Sequence, residues 1–195
     1  MAEGFVARGL PLVIVQPGLV YGPGDTSSVG TTLVQYLQRR LPLIPSQTAF
    51  AWGHVEDVAQ GHVLAMERGR PGRTYFLCGP VHTLEDALAI AEDITGIPAP
   101  RLRASPGVLR AMSAVMTPIE KVVPVPVAYT AESLRVVAGV TYIGSHERAR
   151  RELGWTPRPL QEGLAETLDY EMTRLGITPR ARPSRPGPAS RQPPT

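Results

Sequence analysis

RGLPLVIVQPGLVYGPGD, residues 8–25, is the stretch from which the fold of this chain is read. Pro11 to Gln16 is a short apolar run rich in β-branched residues, the pattern of a strand buried on both faces. Pro17-Gly18 breaks it into a Gly/Pro-rich turn. Such a strand needs parallel neighbours, yet only ten residues precede it. The expectation is therefore the back half of a larger α/β protein. The alternative, a small α+β domain complete as written, leaves a strand apolar on both faces short of cover.

Outward from this run, strand and helix signals alternate. Residues 1–8 read as the last turns of a helix closed by Gly9, a left-handed C-cap position. Ser28 to Arg40 is helical, with Val29, Leu33, Tyr36 and Leu37 on one face. Gln47 to Gly53 is short and extended, and Val55 to Arg68 is a helix with Val58, Leu64 and Ala65 inward. Thr74 to Cys78 is a second buried strand. Thr83 caps a helix running to about Thr95, with Glu85 and Asp86 favouring the dipole in its first turn. The apolar helix Ser105 to Ile119 follows, then the proline-broken VVPVPVAYT. Helical signals return at Thr130–Val137, Ser145–Leu153 and Leu160–Leu175. The order gives an α/β first half and a mostly helical cap. There is no internal repeat.

Composition narrows the function classes. Apolar residues make up 43% of the 195, enough for a core. No run of eighteen apolar residues occurs, so a membrane span is not expected. MAEGFVARG has no basic segment followed by an apolar one, so no signal peptide is read, and the expected location is cytoplasmic. A single cysteine, Cys78, excludes an internal disulfide and reads as a buried structural thiol. The pI near 9.3 suggests a nucleic-acid partner until the charge is placed. Thr178 to Thr195 holds Arg180, Arg182, Arg185 and Arg191 and no acid; the whole chain is +3, which leaves residues 1–177 at −1. That tail carries six prolines and reads as a disordered extension, so no nucleic-acid partner is expected.

Four motifs, in order and in register over about residues 2–175, resemble the extended short-chain dehydrogenase/reductase family, the NAD-dependent epimerase/dehydratases. They are AEGFVARGLPLVIVQPGLVYGPGD from Ala2, WGHVEDVAQGHVLAME from Trp52, GRTYFLCG from Gly72 with its helix ending ITGIP, and SHERARRELGWTPRPLQEGLAETLDYE from Ser145. The resemblance implies the C-terminal part of an NAD(P)-binding Rossmann fold, its late parallel strands followed by a mostly helical substrate-binding cap (residues 1–177). It implies NAD or NADP in the intact enzyme, with a small-molecule carbonyl or alcohol as substrate. It also implies that the glycine-rich G-x-x-G-x-x-G turn and the Tyr-x-x-x-Lys pair lie upstream of Met1, since neither occurs in this sequence. No catalytic residue is therefore assigned here, and the chain alone is expected to hold no cofactor. Tyr36/Arg40 and Tyr170/Arg174 have the dyad's spacing, but arginine is no substitute for a positioned lysine, and both read as surface helix pairs.

By the same resemblance Pro17, Gly18, Leu19 and Val20 face the nicotinamide end of the cofactor, and Tyr21 and Asp25 reach towards the substrate. The Pro-Gly form of the motif, in place of an asparagine, resembles dihydroflavonol reductases and 3β-hydroxysteroid dehydrogenases more than sugar-nucleotide enzymes. The stripe Val108, Leu109, Met112, Val115, Met116 and Ile119 suits a hydrophobic substrate, with Met112 and Met116 as candidate contacts; core packing explains it equally well. His54 and Asp57 match the family's H-V-x-D feature; His54 is expected as a hydrogen-bonded structural histidine, Asp57 as a helix-start acid. Alternatives are a sugar-nucleotide epimerase/dehydratase fragment, or a non-catalytic half-domain that pairs with a separate N-terminal Rossmann half or with its own copy. No metal ligand set is read from the sequence.

Overall fold

The computed structural model describes residues 2–6, 8–46, 48–120 and 141–178. The VVPVPVAYT run, the helix expected over Thr130–Val137 and all but the first residue of the tail lie outside the described residues.

The 8–25 stretch forms two strands in two different sheets. After helix α1 (Ala2–Val6), Gly9 takes the expected positive φ, 88°. Strand β1 covers Ile14–Pro17 rather than Pro11–Gln16. The reason is local: Pro11 has no N–H, and the Leu12 N–H turns back to the Leu10 carbonyl at 2.7 Å. The Leu12 carbonyl accepts from Gly72, and the ladder begins with Ile14 donating to Arg73 at 3.0 Å. Gly18 then hands the chain to β2, Leu19–Tyr21, where only a turn was expected. A Cβ at Gly18 would overlap the Ala51 carbonyl oxygen and lie 2.7 Å from Cys78 Cβ, so only glycine fits the crossing.

The first sheet pairs β1 with β5 (Thr74–Leu77) in parallel, Ile14 opposite Thr74 and Pro17 opposite Leu77. Among the described residues β1 has no second neighbour. Helices α3 (Val55–Arg68) and α6 (Glu147–Leu153) cover one face. Ala65, Tyr75, Leu77, Ala149, Leu153 and Trp155 are buried there, with Val13 and Val15 packed against them. Cys78, at the end of β5, is buried as expected.

The second sheet is built on β4, Ala49–His54. It pairs in parallel with β2 and with β8 (Thr141–Tyr142), and antiparallel with β6 (Val81–Thr83). Helices α2 (Ser28–Leu37), α4 (Leu84–Thr95) and α7 (Leu160–Leu175) enclose it. Leu33, Tyr36, Trp52, Leu88, Leu164 and Leu168 lie in this core. Ser27 caps α2, and Thr83 with Asp86 forms a reciprocal capping box on α4. Helix α2 ends earlier than Arg40 because Arg39 adopts a left-handed φ of 57°. The pair β3 (Ile44–Pro45) and β7 (Arg103–Ala104) leads into α5 (Pro106–Ile119), capped by Ser105. No helix among the described residues is long and apolar enough to cross a membrane.

Candidate functional site

The carboxyl ends of β1, β2 and β4 meet the first turn of α3 and the middle of α7. Pro17, Gly18, Leu19 and Val20 are each half-buried at that end. Gly18 donates to the Leu77 carbonyl at 3.0 Å. Tyr21 is 2% exposed, its ring edge-on to both Trp52 and His54 at 5.5 Å between centroids. Its hydroxyl presses on Gly163 of α7, where a Cβ would overlap it. Burial, followed by the nearby Asp57 carboxylate, raises the Tyr21 phenol above its ordinary range. Asp25 is fixed locally: its carboxylate accepts from the Ser27 N–H at 2.7 Å and the Ser27 hydroxyl at 2.9 Å, setting the entry to α2.

Beside Tyr21 lies a charge cluster centred on Arg158. The guanidinium meets Asp57 at 2.9 Å, Glu56 at 3.0 Å and Glu166 at 2.7 Å. The Arg158 backbone N–H also donates to Asp57 at 2.9 Å, and Trp155 Nε1 donates to the Asp57 carbonyl at 2.7 Å. These charge-assisted bonds tie the start of α3 to the link between α6 and α7. They raise the Arg158 guanidinium further, the hydrogen bond to Asp57 contributing most. Asp57 is thus more than a dipole acid; its carboxylate is one side of an inter-element joint.

His54 corrects an expectation. It is 1% exposed, yet neither ring nitrogen has a hydrogen-bond partner. Nε2 stands 3.7 Å from Glu166 Oε2, an approach without a hydrogen bond. Burial, then the neighbouring Arg158 charge, pushes the imidazole below the ordinary histidine value.

The helical stripe of α5 divides. Leu109 is buried, and Met112 and Met116 are half-buried against it with Leu43 and Ala104. Val108 and Val115 point outwards, 51% and 61% exposed. The Ile119 side chain lies outside the described set.

The two tyrosine–arginine pairs also separate. Tyr36 is a core residue rather than a surface one: its hydroxyl donates to the Ile97 carbonyl at 2.6 Å and pairs with Thr95 at 2.9 Å. Burial pushes its phenol up to about 12. The cause is tertiary: Tyr36 reaches Thr95 at the end of α4 and Ile97 just beyond it. Tyr170 is exposed, and Arg174 pairs with Glu171 at 2.6 Å.

Arg158 and Glu166 were not among the expected site residues. The signal that could have found them lies inside LGWTPRPLQEGLAE: an arginine three residues after a helix-ending Gly-Trp, then an acid eight residues on.

Comparison with known proteins agrees with this architecture. Residues 3–78 match the model of the NAD dependent epimerase/dehydratase family. Sterol demethylase protein B from Methylococcus capsulatus is 30% identical over 168 residues, covering 84% of this chain and 50% of that protein. A putative dihydroflavonol 4-reductase from Synechocystis is 35% identical over 100 residues, covering 48% and 29%. The chain therefore spans half or less of the curated relatives it matches. The fold is shared with a nucleoside-diphosphate-sugar epimerase from Pseudomonas aeruginosa, at a TM-score of 0.70 and 23% identity over 91% of this chain and 53% of that one. Motifs, topology and relatives agree: residues 3–78 match the NAD dependent epimerase/dehydratase family, and the chain as a whole shares the Rossmann-type α/β fold of the epimerases it resembles.

Proposed function

We propose that this chain supplies the substrate side of an NAD(P)-dependent oxidoreductase acting on a hydrophobic carbonyl or alcohol. The nucleotide-binding half and the Tyr-x-x-x-Lys pair come from sequence outside these 195 residues. The observation that carries the reading is β1: an apolar parallel strand with β5 as its one described neighbour, in a chain that spans half or less of the relatives it matches. Open α/β sheets bind nucleotides at the carboxyl ends of their strands, and Pro17 to Val20 stand there, half-buried. They fit the apolar nicotinamide face through packing, while phosphate binding must come from elsewhere, because the sequence holds no G-x-x-G-x-x-G turn.

In this reading the cofactor, when bound, supplies the hydride for a carbonyl carbon, and the oxygen takes a proton. This chain's part is to position: Pro17, Gly18, Leu19 and Val20 against the nicotinamide, Asp25 at the substrate end with the buried Tyr21 supporting it from behind, Met112 and Met116 as the apolar wall. The relatives named as a sterol demethylase and a dihydroflavonol reductase favour a hydrophobic substrate over a nucleotide sugar. The enzyme is read as cytoplasmic.

The test joins the chain to a nucleotide-binding half, either its own upstream coding sequence or that of the Methylococcus relative. NAD(P)H oxidation is then followed with a steroid or flavanone ketone and with a UDP-sugar. Turnover of the ketone is expected; turnover of the UDP-sugar alone would overturn the reading. Calorimetry on the chain alone should show no appreciable NADH or NADPH binding, and tight binding would equally sink it.

A further inference from the structure

We propose that His54, Glu56 and Glu166 form a site for a divalent transition-metal ion of the Zn2+ class, at the junction of α3 and α7. This goes beyond the proposed oxidoreductase role and does not depend on it.

Charge is the first argument. Three carboxylates, Glu56, Asp57 and Glu166, face the single Arg158 guanidinium. Two negative charges remain uncompensated within one cluster. Asp57 is fully engaged, accepting from both the Arg158 side chain and its backbone N–H. Glu56 and Glu166 are held less firmly: their side chains are 65% and 42% exposed, so solvent and ions reach them. Each carboxylate has two oxygens and can bridge a guanidinium and a metal ion at once.

The second argument is His54, which is independent of the acids. Its side chain is fully buried and both ring nitrogens lack a hydrogen-bond partner, a state that native interiors rarely leave unexplained. Nε2 is aimed at Glu166 Oε2 across 3.7 Å. That gap is too long for a hydrogen bond and matches the spacing of two donors on one ion, since ligands about 2.0–2.2 Å from zinc stand roughly 3–4 Å apart. One ligand atom from each of His54, Glu56 and Glu166 lies within 4.8 Å of the others, so a small rotation of the exposed Glu56 completes the set.

The donor set chooses the ion. One imidazole nitrogen and two carboxylates suit Zn2+, Co2+ or Ni2+; calcium and magnesium ask for six or more oxygens. Three protein ligands leave a fourth position for water. The expected effect is a clamp between the start of α3 and Glu166 of α7.

The test uses the full 195-residue chain, titrated with Zn2+ by calorimetry and with Co2+ for its visible absorption. One equivalent of Zn2+ should bind and raise the melting temperature, and Co2+ should develop a nitrogen/oxygen-ligand band. Glu56→Gln, a surface change that leaves the core intact, should weaken binding of both ions. Glu166→Gln should abolish it, and His54→Ala should also abolish the cobalt band. Absence of saturable binding would overturn the proposal. So would binding that survives in both glutamate variants, which would assign the metal to other histidines such as His62, His82 or His146.

Discussion

The two sheets are built from the same short apolar segments, yet one is enclosed and the other is not. Around β4, strands pair on both sides and helices α2, α4 and α7 close over the core, where sixteen buried residues form one cluster. Among the described residues the β1–β5 sheet has two strands, one helical layer and a buried cluster of six. Parallel sheets are normally covered on both faces. The difference teaches that the described residues hold one enclosed packing unit and one whose parallel strand still offers an edge among them. The Arg158 joint connects them.

The contrast is best broken by truncating one side chain in each region. Leu88→Ala, in the enclosed core, should cost about 2–5 kcal/mol in a urea titration. Val15→Ala, on the partly covered strand, should cost less, about 1–2 kcal/mol in the isolated chain, because its side chain packs against a smaller cluster and stays partly in water. Equal costs would mean that β1 is already enclosed, for instance by a second copy. The Val15 cost should grow once a nucleotide-binding half is supplied.

The joint is next in size. Arg158→Ala leaves three acids without their cation and should destabilise by about 2–4 kcal/mol, loosening both regions together. Arg158→Lys should recover part of this, since a point charge cannot bond in a fork. If hydrogen exchange shows only one region loosening, the two sheets are independent units. Tyr36→Phe is smaller: it strips a buried hydroxyl from the Ile97 carbonyl and Thr95, for about 1–2 kcal/mol confined to the enclosed side.

The smallest effect sharpens the contrast through pH. Thr83 donates from its hydroxyl and its backbone N–H to Asp86, holding that carboxyl below the usual range. Its folded-state value lies below its unfolded one, so its contribution is complete above about pH 4 and is lost as pH falls through the folded value. Asp86→Ala should lower neutral-pH stability by under about 1 kcal/mol and flatten the acid limb of a urea-midpoint profile. An unchanged acid limb would show that the cap frays in solution.

What the sequence disclosed follows from the range of each interaction. Helices α3 and α7 were legible to the residue, Val55–Arg68 and Leu160–Leu175, because apolar periodicity is local. The Thr83 cap and the Gly9 terminus were legible for the same reason. Strand β2 was hidden, since three residues between Gly18 and Gly22 look like a turn until a distant strand pairs with them. The apolar face of α2 already held Tyr36, yet its spacing to Arg40 read as a surface pair, because the partners that fix its hydroxyl, Thr95 and Ile97, lie some sixty positions away. The site divides likewise. Residues 17–25 could be singled out from one stretch, whereas Arg158 and Glu166 gain meaning only when α7 folds back onto His54 and Asp57.

The Asp57–Arg158 bond joins positions 101 residues apart. At ribosomal rates of roughly 5–20 residues per second, the first turn of α3 waits on the order of ten seconds for its arginine to be made. Through that interval Glu56 and Asp57 stand exposed at the head of a nascent helix, and His54 has no helix behind it. The order of synthesis thus makes α7 the last of the described helices to pack, and a chain stopped before Pro159 would leave the ribosome with β4 lacking one of its three helical covers.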